Sequence, residues 1–118
     1  MTFAVGNDIV FIPDFEKSLS EPFKKRVFSE LEIDQIEKYK ACPLIRYAST
    51  WAAKESVVKA LRQVFDGGLG LAWKDIQVIR ENKIPGVRIL MPRYSQLSFS
   101  LSLSHDRDYA FAVVVLKK

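Results

Sequence analysis

Asp8 stands inside residues 3–12, a run otherwise dominated by apolar and β-branched side chains. A carboxylate placed there must be solvated, paired or bound to a cation, because burial without a partner is costly. The plainer alternative is an aspartate at a strand end that caps a turn or faces water. Glu55 and Lys59 lie four residues apart in T-W-A-A-K-E-S-V-V-K-A-L, residues 50–61, and so share one face of a helix. Alone, the two read as an exposed ion pair worth about 0.2–0.5 kcal/mol; the sharper reading is a metal-ligating carboxylate beside a phosphate-binding lysine. Trp51 continues the same stripe, and its packing would shield Glu55 and increase that carboxylate's need for a cation. His105, the only histidine, follows Ser104. One histidine cannot build a multi-histidine zinc site, and no Ser-His-Asp order supports a triad. Donation of a hydrogen bond to phosphate or a nucleotide is the chemistry left to it, against the plainer reading of an exposed turn histidine.

The elements that must hold these residues follow from periodicity. Residues 3–12 read as a strand broken at Gly6-Asn7-Asp8 and stopped by Pro13, which has no backbone donor. A short helix is expected over 14–19. Ser29 and Glu32 have the spacing of a capping box opening a largely exposed helix that runs to about Lys40. Pro43 suits a first helical position, and Leu44, Tyr47, Ala48, Trp51, Ala52, Val58 and Leu61 then keep helical spacing to about Val64. This long helix is the central packing element. Asp66-Gly67-Gly68-Leu69-Gly70 reads as its C-cap and, following a helix, lacks the setting of a phosphate loop.

Residues 75–80 and 87–91 read as strands around a turn at 82–86. Residues 98–104 alternate serine with Phe99, Leu101 and Leu103, the period of a strand with one polar face, and 108–116 form a second strong strand. His105-Asp106-Arg107 is the expected hairpin turn. The sum is one α+β domain over residues 1–118, a mostly antiparallel sheet packed on a long helix.

Composition narrows the classes. A chain of 118 residues that is 48% hydrophobic can bury a core as a single domain. Eighteen basic against 14 acidic residues give a net charge of +4, with the two signs interleaved, which favours an acidic partner and lacks the aromatic-basic pattern of nucleic-acid binding. Lys24-Lys25-Arg26 is the one basic cluster, read as a solvated turn or a dock for an acidic partner. A single cysteine, Cys42, excludes an internal disulfide and suits a reducing compartment. No apolar run reaches the roughly 18 residues of a membrane span. The expectation is a soluble, unprocessed cytoplasmic protein with no membrane or nucleic-acid partner.

Taken together, G-N-D-I-V, W-A-A-K-E-S-V-V-K-A-L, W-K-D-I-Q-V and L-S-L-S-H-D-R-D-Y-A-F-A-V-V-V-L resemble the short, single-domain holo-[acyl-carrier-protein] synthases, a family of 4'-phosphopantetheinyl transferases. The resemblance covers nearly the whole chain, in the family's order and spacing. It implies the 4'-phosphopantetheinyl transferase-like fold and transfer of the phosphopantetheine arm of coenzyme A to a serine of an apo acyl carrier protein. Adenosine 3',5'-bisphosphate is then released. It implies Mg²⁺ held by Asp8 and Glu55, a diphosphate contacted by Lys59, a nucleotide end contacted by Ser104 and His105, and a homotrimer with active sites shared between subunits. On physical grounds Glu55 could accept the serine proton, directly or through a metal-bound water, and both routes stay open at this point.

Three positions depart from the family's pattern. Pro13-Asp14 replaces a basic residue used to grip the carrier, Thr50 replaces an arginine before the aromatic of the central motif, and Arg62-Gln63-Val64 replaces a Gly-Thr-Gly turn. Arg46 and Arg62 are the candidate substitutes for the lost coenzyme A contacts. These departures motivate the alternative reading, a coenzyme A or nucleotide-binding module with weak or lost carrier modification.

Overall fold

The computed structural model describes residues 1–39 and 41–118. The chain runs β1 (Phe3–Phe11), α1 (Ile12–Ser18), α2 (Glu21–Val27), α3 (Glu30–Lys38), α4 (Pro43–Val64), β2 (Ile76–Glu81), β3 (Ile84–Ile89), β4 (Ser98–Asp106) and β5 (Tyr109–Lys117). Single 3₁₀ turns at Trp73–Asp75 and Pro92–Tyr94 flank the β2–β3 pair. This is the expected α+β architecture. Three strands form an antiparallel sheet in the order β1-β5-β4, and β2 and β3 pair separately, also antiparallel.

Helix α4 lies across the inner face of the three-stranded sheet. The contact is built from small side chains: Ala52, Ser56 and Ala60, one turn apart on the helix, are wholly buried, as is Ala112 of β5. Ser56 Oγ donates to Ala52 O at 2.8 Å and to Ala112 O at 3.3 Å, so the one polar group in the contact is satisfied. Gly6 is part of this surface. A Cβ there would fall on the carbonyl of Ser56, well inside van der Waals contact, and 3.0 Å from the amide of Ala60. The glycine therefore permits a close approach and does not break the strand, and β1 runs unbroken through Asp8.

The outer face of the same sheet is apolar and open. In register, Val5 pairs Val115, Ile9 pairs Phe111 and Phe11 pairs Tyr109, and all six are exposed. Along β4 this face carries Ser98, Ser100, Ser102 and Ser104.

On its other side α4 meets α3 and β2 through Lys54, which is completely buried together with Glu32. Lys54 Nζ donates to Glu32 Oε1 at 2.8 Å, to Trp73 O at 2.9 Å and to Ile76 O at 2.6 Å, using all three of its protons. Burial presses the lysine pKa down while the Glu32 carboxylate holds it up. Glu32 also accepts from Ser29 N at 2.8 Å, closing the capping box, and from Val78 N at 2.8 Å. Gln35 continues the seam: its amide donates to Arg80 O at 3.4 Å and its carbonyl accepts from Arg80 N at 3.1 Å. Side chains of α3 thus complete the backbone hydrogen bonding of β2 as a neighbouring strand would.

Several local expectations are corrected. The second helix is buried along its inner face at Glu32 and Ile36, with the capping box as expected; Lys40, to which its pattern extended, lies outside the described residues. Residues 24–26 belong to α2, a short helix capped by Ser20. α4 ends at Phe65, whose amide bonds back to Leu61 O in an extended conformation, so Gly67 and Gly70, with positive φ, shape the following loop and do not cap the helix. Asn82 and Lys83 both take positive φ in a two-residue hairpin turn, which starts β3 at Ile84. β4 runs on to Asp106, which places His105 in a strand opposite Ala110, and the hairpin turns at Arg107 and Asp108.

Gly6→Ala is expected to lower stability by about 3 kcal/mol or more, since two backbones must separate to admit one methyl group; a urea midpoint within error of wild type would refute the close approach. Lys54→Met is expected to cost about 3–5 kcal/mol in the same measurement, because it strands a buried carboxylate and two carbonyls. A loss below ~1 kcal/mol would mean that water reaches those groups.

Candidate active site

Asp8 points from β1 toward α4 because it shares the inward face with Ala4, Gly6 and Val10. Gly6 lets the helix approach two residues earlier, and Glu55 and Lys59 flank Ser56 and Ala60 at that contact. The two elements therefore bring the three charged groups together. Lys59 Nζ donates to Asp8 Oδ1 at 3.2 Å. The lysine side chain is half exposed, so the pair itself is worth at most about 1 kcal/mol. Packing, not this ion pair, sets the arrangement. The Glu55 carboxyl is held above the usual carboxylate range, first by burial and then by the nearby Asp8, with Lys59 acting in the opposite sense.

Asp8 and Glu55 line an open groove of about 490 Å³ together with the aromatic rings of Phe11, Phe15, Phe23 and Trp51. Trp51 is held edge-on between Phe23, at 5.6 Å between centroids, and Trp73, at 4.7 Å. Trp51 is therefore packed, and it lines the same groove as the half-buried Glu55. Asp14 also faces this groove. Among the described residues there is no group of three or more His, Cys, Asp or Glu that could hold a metal ion without help. Two carboxylates in an open groove suit a hard cation whose remaining ligands come from water and substrate phosphates, which is the habit of Mg²⁺.

Ser104 and His105 lie elsewhere. They line a second cleft, of about 430 Å³, together with Arg46, Cys42 and Tyr39. Its lining shares no residue with the groove of Asp8 and Glu55. The Arg46 guanidinium stacks 3.5 Å from the ring centre of Tyr39. Arg80 and Lys83, which the sequence reading missed, face the same cleft. Arg80 falls on the buried face of β2 with Ile76 and Val78, and a cation ending an apolar strand face is the signal that could have found it. Its Nη1 donates to Thr50 Oγ1 at 3.3 Å. Arg62 is brought to neither place; it lines a small hollow against Leu69 and Trp73.

The basic cluster of residues 24–26 does not act as one patch. Lys24 is engaged by Glu21 at 3.4 Å and Glu37 at 3.8 Å and lies over the Tyr47 ring. Lys25 and Arg26 remain exposed on α2. The Tyr47 hydroxyl donates to Glu37 Oε1 at 2.7 Å, and burial with that carboxylate pushes its pKa well up.

Comparison with known proteins agrees with this architecture. The family model of the 4'-phosphopantetheinyl transferase superfamily matches residues 4–114. A holo-[acyl-carrier-protein] synthase of Ehrlichia ruminantium (strain Gardel) is 34% identical, with 100% of this chain and 98% of the relative aligned. Among solved structures, the ACPS–CoA complex of Chronobacterium ammoniagenes superposes with a TM-score of 0.87 at 29% identity, over 99% of this chain and 98% of the other. The Helicobacter pylori holo-[acyl-carrier-protein] synthase in complex with coenzyme A gives 0.77 at 32% identity, over 96% and 99%. With a family model spanning nearly the whole chain and full-length relatives above 30% identity, this chain belongs to the 4'-phosphopantetheinyl transferase superfamily and is an enzyme of its holo-[acyl-carrier-protein] synthase type.

Proposed function

We propose that the chain transfers 4'-phosphopantetheine from coenzyme A to a serine of an apo acyl carrier protein, with Mg²⁺ held by Asp8 and Glu55, and releases adenosine 3',5'-bisphosphate. The observation that carries this reading is the convergence of Asp8 from β1 and Glu55 from α4 on one groove, with Lys59, one turn along α4, bonded to Asp8 at its side. A bound Mg²⁺ would supply charge neutralisation at the diphosphate. The carrier serine oxygen attacks the β-phosphorus, and the bond from that phosphorus to the bridging oxygen breaks. The bridging oxygen leaves with the nucleotide. Glu55, on the wall of this groove, is the group placed to take the serine proton as that oxygen attacks. Lys59 supplies positive charge where negative charge gathers on the departing phosphate.

The carrier is expected at the aromatic wall of the groove, beside exposed Lys25 and Arg26 of α2, which suit an acidic partner. Ser104, His105 and Arg46 suit the nucleotide end. That cleft and the acidic groove share no lining residue, which fits a site completed by a neighbouring copy. The exposed sheet face supports this. Ile9 and Phe11 at its β1 side also line the groove, whereas Ser102 and Ser104 at its β4 side also line the basic cleft. Head-to-tail packing of β1 on the next copy's β4 brings groove to cleft, and three such contacts close a ring. Among the described residues no helix is long and apolar enough to cross a membrane, and the lone cysteine suits action in the cytoplasm.

Incubation with coenzyme A, Mg²⁺ and an apo acyl carrier protein is expected to add the mass of one phosphopantetheine to the carrier. Asp8→Asn and Glu55→Gln should each slow this by at least about 100-fold. Unchanged carrier mass across several carriers would leave the coenzyme A-binding module as the better reading. Light scattering is expected to give a trimer, and Phe111→Asp to give a monomer that has lost transfer; a wild-type monomer that turns over would refute the shared site.

A further inference from the structure

The cleft that holds Ser104 and His105 is electrostatically incomplete. Arg46, Arg80, Lys83 and His105 all line it, and among its described lining residues there is no carboxylate. Neither Arg46 nor Arg80 belongs to any ion pair among the described residues. Arg80 is half-buried on the end of β2; burial first and then the neighbouring Arg46 press against its charge, with Tyr39 and Glu32 acting more weakly in the opposite sense. Two guanidiniums placed to repel each other in a partly dry cleft are unfavourable until an anion enters between them.

The cleft nevertheless fixes both groups before any ligand arrives. Arg46 is stacked on Tyr39. Arg80 is fixed at both ends, its backbone by Gln35 and its Nη1 by the buried hydroxyl of Thr50. Thr50 occupies a single acceptor site on that guanidinium, which leaves its other N–H groups for a ligand; the fork of an arginine matches the oxygens of a phosphate. Lys83 approaches from the hairpin turn, where its positive φ is set by the tight connection of β2 to β3.

We infer that Arg80, held by Thr50 and facing Arg46, is the residue with which this chain reads the 3'-phosphomonoester of coenzyme A. The inference rests on the transferase reading above, in which the diphosphate is met at Asp8, Glu55 and Lys59. The phosphomonoester is then the only other strongly anionic group of coenzyme A, and it carries the double charge that two guanidiniums and a lysine would offset. Arg80 thereby takes a duty that neither Thr50 nor the distant Arg62 can perform.

Titration calorimetry with coenzyme A and with 3'-dephospho-coenzyme A tests this. Wild type is expected to bind coenzyme A about 10- to 100-fold more tightly, the range of a charge-assisted hydrogen-bonded contact. Arg80→Gln should lose most of that preference by weakening coenzyme A alone, with dephospho-coenzyme A affinity moving less than about twofold. Arg80→Lys should fall between the two, since it keeps charge and loses the fork. Equal weakening of both ligands in Arg80→Gln would assign Arg80 a purely structural role and overturn the inference. So would a full preference retained by that variant, or no preference in wild type. Carrier modification by wild type is scored separately: discrimination without transfer refutes the enzyme reading alone, and transfer without discrimination refutes this inference alone.

Discussion

The close approach of α4 to the three-stranded sheet is the constraint on which the molecule depends. Gly6 has no side chain to hold the helix off, and Ala52, Ser56, Ala60 and Ala112 present little more than a methyl group or a satisfied hydroxyl. Because Asp8 is two residues from Gly6 on the same strand face, and Glu55 and Lys59 bracket the same turn of helix, the spacing of the backbones is also the spacing of the charged groups. A site built this way sits on rigid elements and needs no strong ion pair to define it. The half-exposed pair of Lys59 with Asp8 is too weak to do that work; dense packing is not.

The neighbouring residues Lys54 and Glu55 show how one helix turn divides structural from chemical charge. Lys54 points away from the groove and spends every proton on Glu32 and two carbonyls, joining α3, the Trp73 turn and β2 to α4. Replacing such a pair by apolar side chains can be neutral in stability. What apolar groups would not supply is direction. Lys54 fixes the carbonyl of Trp73, whose ring backs Trp51, whose ring in turn backs Phe23 at the groove wall. Glu32 and Gln35 meanwhile hold the edge of β2 and, with it, Arg80. One buried network therefore supports the walls of both clefts.

Much of this was legible in the residues. The 22-residue α4 followed from Pro43 and helical periodicity, the α3 start from Ser29 and Glu32, and the β4–β5 pair from strict alternation. Asp8, Glu55 and Lys59 stood out as charge in apolar settings. What escaped depends on tertiary contact. Gly6 reads alike as a strand break and as a close approach until the helix is in place. His105 reads as a turn residue because Asp106-Arg107-Asp108 is rich in turn formers, yet cross-strand pairing carries β4 through Asp106. Lys54 carries no local sign of burial, since its three acceptors come from residues 32, 73 and 76. Arg80 was hidden for the same reason: only the fold brings β2 beside position 50 of α4.

The two faces of the sheet impose opposite demands. The inner face must be small, to admit α4, and it is complete within the chain. The outer face is large and apolar at Phe3, Val5, Ile9, Phe11, Tyr109 and Phe111, all exposed among the described residues. Contiguous exposed patches of this kind are uncommon on monomers and mark association. The outer faces of β1 and β4 border different clefts, one acidic and one basic. Separating them keeps Asp8 and Glu55 from pairing with Arg46 and Arg80 within one chain, which would neutralise both sites. On the proposed shared-site reading, association through the open face and assembly of a complete binding site are one event, driven by apolar area at the centre and specified by charge at the edges.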